Sequence, residues 1–343
     1  MRKHVLFTVF KAYLLVGFLS ACSFTEKNEI QSLYGYSMGT SYHIKIVSSL
    51  SKSQRLQLGI EGILSDINAR MSTYLPSSDL SKFKAIDIGE VLDVSSRTAA
   101  VVTRALEVSN ATHGYFDPTI APLVDLWGFG PSPDVSEEPS AFEIGQRLPL
   151  VGYDNVKVIS SQALSKTAAS ELDLSAIAKG YAVDLVAEYL LEEGIEQFLV
   201  EIGGEMRSAG VKPNDEAWLI AIETPTDGLR EVFDVLPLTD MAIATSGDYR
   251  NYFETNGVRY SHTINPKTGY PVSHNLASTS VIMRNCMDAD AYATAFMAMG
   301  LEKALNIANE QNIAAYFIYR EDKAFKVAAS DSFVRLFGPL AVN

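Results

Sequence analysis

Strand pairs and helices occupy separate stretches of the sequence, a pattern that agrees with an α+β fold. Ala217–Glu223 and Glu231–Leu238 are consecutive apolar runs that are typical of a β-hairpin. Val258–Asn265 and Tyr270–His274 flank a turn whose proline and glycine are placed as in a tight reversal. Ser53–Asn68 has apolar residues at helical spacing and predicts an amphipathic helix. Hairpins together with separate helices are the pattern of the α+β class.

Three further segments predict helices. Ser95–His113 begins with Ser96 as its expected N-cap and ends before Gly114. Ala176–Glu193 ends before a glycine in the same way. Asp288–Glu310 is rich in alanine, methionine and leucine and has no proline, so we expect one continuous helix there.

Small residues mark three places where a ligand can approach the backbone. Met38-Gly39 precedes the alternating strand Tyr42–Ile46, and Gly203-Gly204 follows another strand-like run. Ala244–Gly247 predicts a turn made of small residues. Plain turns and bulges have the same composition, so these signals are weak individually.

The first residues are expected to direct export. Residues 1–21 contain basic residues and the apolar run Ala12–Leu19, which is shorter than the roughly 20 residues that span a bilayer, and they predict a signal peptide. The small residues before Cys22 resemble a bacterial lipobox, which implies cleavage before Cys22 and diacylglycerol on its sulfur. The alternative is ordinary secretion with a free thiol. We expect a lipidated tether at 22–33 and one domain over 34–343.

The charge and the cysteines narrow the class of ligand. The net charge is −13, and removing residues 1–21, which hold three basic and no acidic residues, changes it to −16. An acidic domain without a basic run argues against binding nucleic acid, and an anionic ligand then needs a metal or helix N-termini. If Cys22 carries lipid, Cys286 has no disulfide partner and is expected to fill the core.

Asp290 and Thr294 predict a cation site. Four residues apart on a helix, they lie on one face, one turn from each other. A carboxylate and a hydroxyl are hard oxygen donors that suit magnesium or calcium, and the sequence has no cysteine and histidine cluster typical of zinc. The alternative is that Asp288 or Asp290 caps the helix and complements its dipole.

Lys179 and His262 are the candidate charged groups beside such a cation. Lys179 lies near the start of the predicted helix Ala176–Glu193, where free N–H groups favour an anion. A lysine there opposes the helix dipole, which indicates that something negative binds. His262 has hydroxyl residues on both sides, although a lone histidine is more often structural.

Seven segments occur in the order found in the ApbE family, and the chain resembles that family from residue 34 to residue 300. The segments are Met38–Thr40, Phe116–Thr119, Asp173–Asp184, Gly203–Glu205, Ala244–Arg250, His262–Val272 and Asp290–Thr294. The family comprises FAD:protein FMN transferases, formerly labelled thiamine biosynthesis lipoproteins. This chain departs from the family at two positions: Ala176 stands where relatives often have glycine or threonine, and Asn265 where they often have aspartate.

The resemblance implies a fold and a set of site residues. The fold is a mainly antiparallel sheet core with flanking helices and a cleft between two lobes. The magnesium site falls on the backbone carbonyl of Ala176 and on Asp290 and Thr294. The flavin and nucleotide contacts fall on Met38, Tyr74, Tyr115, Phe116, Asp117, Asp173, Lys179 and Ile264.

The resemblance also implies an activity: Mg²⁺-dependent transfer of FMN from FAD to a threonine hydroxyl of a partner protein, with release of AMP. We expect His262 to be the general base, since an ordinary imidazole pKa of about 6.5 suits proton transfer, with Asp248 and Asp290 in reserve. One alternative is a magnesium-dependent FAD pyrophosphatase, and another is a non-catalytic FAD-binding lipoprotein. Tyr74, an aromatic residue able to stack on the flavin, favours the transferase.

The expected partners are those of the family. They are redox-pump subunits of the sodium-translocating NADH:quinone reductase or of an Rnf-type complex. A Cys22 lipid anchor facing the periplasm agrees with these partners, which lie in the inner membrane. Ser23 instead resembles an outer-membrane sorting signal, so both membranes stay open.

Overall fold

The structure is a computed structural model that describes residues 28–131, 138–226, 228, 231–249, 252–255 and 258–340. The expected signal peptide and Cys22 lie outside the described residues. The first strand begins at Glu29, inside the stretch expected to be a tether, and Glu29 pairs with Ser48. Residues 29–33 of the expected tether thus pair with the second strand, and Leu33 among them is buried in the core.

The described residues form strands β1 to β15. These are β1 Glu29–Ser37, β2 Thr40–Ser48, β3 Val91–Asp93, β4 Val156–Ser160, β5 Ala163–Lys166, β6 Phe198–Ile202, β7 Glu205–Ala209, β8 Trp218–Glu223, β9 Val232–Leu238, β10 Ala242–Gly247, β11 Tyr252–Thr255, β12 Val258–Ser261, β13 Leu276–Met283, β14 Ala314–Glu321 and β15 Ala324–Ala329.

The described residues also form helices α1 to α9. These are α1 Leu50–Met71, α2 Asp79–Ala85, α3 Ser96–Ala111, α4 Ala121–Leu126, α5 Ala141–Arg147, α6 Ser175–Glu192, α7 Cys286–Met299, α8 Leu301–Glu310 and α9 Asp331–Phe337, with short 3₁₀ turns at Leu148–Leu150 and Tyr153–Asn155. Within the described part of the chain, no helix is long and apolar enough to cross a bilayer.

An eight-stranded sheet forms the centre of the fold. Its order is β1-β2-β6-β7-β10-β13-β14-β15, and every neighbouring pair is antiparallel. The predicted α+β class with an antiparallel sheet is confirmed. The β8–β9 hairpin is also confirmed, with Ala221 paired to Val235.

Both faces of the sheet are buried. Ala244 faces the main core with α1, α3, α6 and α7, whereas its neighbour Ile243 faces a second core with Phe333 of α9. Successive residues of a strand point to opposite faces, so β10 contributes to both cores. A third, small core surrounds Trp127 and includes Ile264.

Two sequence predictions in the central region are wrong. Ala244–Gly247 is part of strand β10, and its small residues pair with β13 beneath α7, where Thr245 Oγ1 lies 2.7 Å from Ser280 Oγ. The helix expected over Asp288–Glu310 is two helices, because Gly300 adopts a φ of 78° and the His274 ring occupies the space beside it.

Two further predictions need smaller corrections. Helix α3 is capped by Ser95, one residue before the expected Ser96. The arms expected around the Pro-Lys-Thr-Gly turn meet in a single bridge between Ile264 and Pro271, because β12 pairs with β11 instead.

Candidate functional site

Helices α6 and α7 cross closely where the predicted cation ligands lie. A Cβ atom at Gly180 would lie 2.2 Å from the carbonyl oxygen of Cys286 and 2.8 Å from Cβ of Asp290, so a glycine is required there. The N–H of Gly180 donates to Oδ2 of Asp290 at 3.0 Å. The crossing therefore fixes the Asp290 carboxylate against the first turns of α6.

The same contact brings Asp290 close to Ala176. In a regular α-helix the carbonyl of residue 176 lies next to the N–H of residue 180, which places the Ala176 carbonyl on the side of α6 that faces Asp290. Thr294 is half-buried one turn further along α7. These three positions supply a carbonyl, a carboxylate and a hydroxyl, which are oxygen donors that Mg²⁺ prefers.

Few anionic groups surround this point. Among the described residues, no group of three or more histidine, cysteine, aspartate or glutamate side chains converges on one place. A cation at the crossing would thus take part of its ligands from backbone and hydroxyl oxygens, and the others from a bound phosphate or water. That composition fits magnesium, which keeps several non-protein ligands.

Lys179 lies between two buried carboxylates. Its Nζ is 3.0 Å from the carbonyl oxygen of Ser175, 3.4 Å from Oε1 of Glu205 and 3.6 Å from Oδ2 of Asp290. Burial by itself lowers the pKa of Lys179, but the Asp290 and Glu205 charges outweigh it and raise that pKa. Burial raises the pKa of Glu205. The ammonium of Lys179 therefore stays charged beside the predicted cation ligands.

The turn between β1 and β2 adjoins this cluster. Met38 and Gly39 have φ angles of 52° and 73°, as in the two-residue turns that match the twist of a hairpin. The N–H of Gly203 donates to the carbonyl of Ser41 at 3.0 Å. A Cβ at Gly203 would lie 2.9 Å from Cγ2 of Thr40 and 3.3 Å from Cδ of Lys179. The Met38 turn and the Gly203 turn thus border the site.

Asp173 and Thr73 line one cavity of about 150 Å³. The side chain of Tyr74, the residue after Thr73, is 65% exposed. Asp173 Oδ1 accepts the N–H of Ser175 at 2.8 Å, which fixes the turn before α6, whose N-cap residue is Leu174. The exposed Tyr74 ring is free to stack on a flat ligand.

Phe116 and Asp117 have structural side chains. The Phe116 ring is buried in the main core. The Asp117 carboxylate accepts hydrogen bonds from the Thr119 N–H and hydroxyl and from the Tyr153 N–H. Burial raises the pKa of Asp117, and these hydrogen bonds oppose the rise. At these two positions the side chains hold the loop, which leaves backbone atoms to meet a ligand.

Tyr115 differs from its two neighbours because lysines surround it. Lys303 Nζ donates to its hydroxyl at 2.6 Å, and Lys267 Nζ lies 4.8 Å from the ring centroid. Tyr115 packs partly against the main core. The loop that carries Tyr115 is also tied to α6, since the N–H of Asp173 donates to the carbonyl of Pro118 at 2.8 Å.

His262 and Ile264 belong to the region of the third core. The His262 ring is half-buried and meets the Phe129 ring edge-on, with centroids 6.3 Å apart. Ile264 is buried beside Trp127, whose Nε1–H donates to the carbonyl of Gly269 at 2.8 Å. These contacts hold the His-Thr-Ile-Asn-Pro segment in a fixed shape.

The reserve bases are already engaged. Both carboxylate oxygens of Asp248 accept from Arg320, at 2.6 Å and 2.9 Å. Asp290 is held by Gly180 and faces Lys179. Each of these two carboxylates thus already has a charged partner.

Comparison with known proteins decides the family. The family model described as the ApbE family matches residues 38–317. The chain belongs to the ApbE family. A protein of Vibrio cholerae serotype O1 named FAD:protein FMN transferase is 42% identical over 304 residues, or 88% of this chain and 91% of that protein. One of Haemophilus influenzae with the same name is 40% identical over 93% of this chain and 94% of its own length.

Solved structures of ApbE proteins have the same fold. The apo flavinyl transferase ApbE of Pseudomonas stutzeri matches with a TM-score of 0.84 and 37% identity, covering 92% of this chain and 99% of that one. The flavin transferase ApbE of Vibrio cholerae matches with a TM-score of 0.83 and 40% identity, covering 90% and 99%.

Sequence reasoning missed Glu205 as a site residue. It directly follows Gly203-Gly204, and only these two glycines indicated a ligand site in that segment. The local sequence holds no signal that marks it, because the burial of this carboxylate depends on the complete fold. Lys303 was missed because its contact with Tyr115 joins segments 188 residues apart.

Proposed function

We propose that this protein transfers FMN from FAD to a threonine hydroxyl of an acceptor protein and releases AMP. The observation that carries the proposal is the α6–α7 crossing, where Gly180 holds Asp290 beside Ala176 and Lys179. The relatives named FAD:protein FMN transferase support the same reaction.

The reaction requires charge neutralisation at a pyrophosphate. The acceptor oxygen attacks the FMN phosphorus, the bond from that phosphorus to the bridging oxygen breaks, and AMP leaves with that oxygen. When bound, Mg²⁺ withdraws charge from the phosphate oxygens. Ala176, Asp290 and Thr294 are the residues that would hold it. Lys179 and the free N–H groups at the start of α6 supply fixed positive charge on the protein side.

We assign the general base to His262. It removes the proton of the acceptor hydroxyl as the new phosphorus–oxygen bond forms, so the proton ends on the imidazole and later passes to water. Phe129 and the Trp127 core orient this segment. Met38, Tyr74, Tyr115, Phe116, Asp117, Asp173 and Ile264 complete the proposed FAD contacts, with Tyr74 stacking on the flavin.

We further propose where the reaction takes place. Cys22 carries a lipid that anchors the chain to the cell membrane with the domain in the periplasm. The acceptors are redox-pump subunits of the sodium-translocating NADH:quinone reductase or of an Rnf-type complex. The basic and apolar residues before Cys22 support the anchor, and the acidic surface agrees with a protein partner in preference to nucleic acid.

AMP release tests the proposal. FAD and Mg²⁺ are incubated with the protein alone, with an acceptor domain, and with the same domain whose target threonine is changed to valine. Transfer predicts AMP in amounts that match attached FMN, and AMP only with the threonine domain. Equal AMP in all three mixtures, with free FMN, identifies a pyrophosphatase. No AMP in any mixture identifies a binding protein.

A further inference from the structure

Glu205 has a buried carboxylate oxygen that lacks a partner. The residue is 5% exposed at the start of β7. Its Oε2 atom makes no hydrogen bond with any of the residues that the structure describes, and its Oε1 atom lies 3.4 Å from Lys179 Nζ. A buried carboxylate oxygen without a partner is costly, which makes this position unusual.

Lys179 alone does not compensate the charges around it. Its single ammonium lies between the carboxylates of Glu205 and Asp290, at 3.4 Å and 3.6 Å, and its shortest contact is with a backbone carbonyl. With both carboxylates ionised, the cluster holds two negative charges and one positive charge. This excess of negative charge attracts an added cation, because a buried carboxylate without a partner is costly.

We propose that Glu205 is a second acidic anchor of the cation site, whose carboxylate joins that of Asp290 in holding a divalent cation at the α6–α7 crossing. Both carboxylates lie within 3.6 Å of Lys179 Nζ, so the two acidic groups are close neighbours on either side of one ammonium. Mg²⁺ keeps several water ligands, and Glu205 acts by accepting a hydrogen bond from such a water. This inference rests on the cation site of the proposed function.

The turn at Gly203 and Gly204 leaves space for the Glu205 carboxylate. A Cβ at Gly203 would lie 3.3 Å from Glu205 Oε2. The N–H of Gly204 donates to Oε1 of Glu201 at 2.7 Å, which fixes the turn that leads into Glu205. Glu201 is itself 3.0 Å from His43 and belongs to a separate pair, so it offers a matched control.

Binding of Mn²⁺ to the FAD-free protein tests the inference without using activity. Free Mn²⁺ is measured by electron paramagnetic resonance during titration of the wild type and of Glu205→Gln, Glu201→Gln and Asp290→Asn. We expect Glu205→Gln to raise the Kd for Mn²⁺ by about tenfold, because one negative charge beside the ion is removed. Glu201→Gln is expected to change the Kd by less than about twofold, since its charge lies outside the cluster.

Two comparisons separate the possible failures. Glu205→Asp keeps the charge and is expected to bind Mn²⁺ more tightly than the amide variant, which also serves if Glu205→Gln does not fold. Wild-type affinity in Glu205→Gln, with weak binding in Asp290→Asn, overturns the role of Glu205 and leaves the cation site intact. Wild-type affinity in both variants shows that the cation site of the proposed function is itself misplaced.

Discussion

The backbone N–H of Gly180 in α6 donates a hydrogen bond to the Asp290 carboxylate in α7, over a distance of 3.0 Å. This contact exists because the two helices approach so closely that a Cβ at residue 180 has no room beside Cys286. The packing of α6 against α7 therefore also determines the position of Asp290, the predicted metal ligand. A change that separates the helices also moves Asp290 away from Ala176.

Gly180→Ala tests this coupling. The added methyl group overlaps the Cys286 carbonyl, and overpacking of this kind costs about 1–3 kcal/mol of unfolding free energy. We expect that loss in urea unfolding, together with a fall in FMN transfer of about tenfold or more as Asp290 shifts. Gly62→Ala in α1 is the control, since no atom lies within 4 Å of its Cβ position. The control is expected to gain up to about 1 kcal/mol. An unchanged Gly180→Ala protein would show that the crossing is looser than described.

Asp290→Asn tests the cation ligand. The loss of its negative charge is expected to raise the Mg²⁺ concentration for half-maximal transfer by about tenfold or more. Asp288→Asn is a matched control, because Asp288 lies two residues away and pairs with Arg104 at 2.6 Å. That control is expected to lose about 1–3 kcal/mol of stability but to keep its Mg²⁺ requirement. Equal Mg²⁺ requirements in all three proteins would remove Asp290 from the site.

His262→Ala tests the base. We expect FAD to bind with wild-type affinity, measured by flavin fluorescence, while the transfer rate falls by about 10²-fold or more. His43→Ala is the control, since its side chain is 65% exposed and pairs with Glu201. Transfer at the wild-type rate in His262→Ala would assign the proton to another acceptor.

His274 predicts a pH dependence of stability. Its Nε2 lies 2.9 Å from the Met297 carbonyl and donates to it, while Nδ1 is buried without a partner among the described residues. Burial lowers the pKa of His274, so the unfolded chain takes up its proton first and stability falls as the pH drops below about 6.5. His274→Gln is expected to give a shallower loss of stability between pH 7 and pH 5, measured by thermal unfolding. His113→Asn, at an exposed position, is expected to follow the wild type. Parallel curves for His274→Gln and wild type would be evidence against this role.

Local spacing singled out several candidate site residues, whereas long-range strand pairing did not follow from the sequence. Asp290 and Thr294 were candidates because helical periodicity places them on one face, and Lys179 was a candidate because it lies near the start of a helix. The small residues of Ala244–Gly247 predicted a turn. The local sequence does not reveal that β10 pairs with β7 and β13 in the centre of a sheet. Sheet order depends on contacts between distant segments.

The sequence also did not distinguish side chains that contact a ligand from side chains that stabilise the fold. Phe116 and Asp117 lie in a motif that resembles a ligand-binding segment, yet their side chains hold the loop and the core. Glu205 was passed over although it is buried between Lys179 and the Gly203 turn. Burial of a polar group depends on the complete fold, so no pattern of neighbours in the sequence revealed it.

Mass spectrometry of an acceptor domain, after incubation with this protein, FAD and Mg²⁺, tests the central claim most directly. The proposed reaction predicts that the domain gains the mass of one FMN phosphoryl adduct on its target threonine, and that chelation of Mg²⁺ prevents the gain. An acceptor of unchanged mass, in a mixture where FAD has been cleaved to free FMN and AMP, would contradict it.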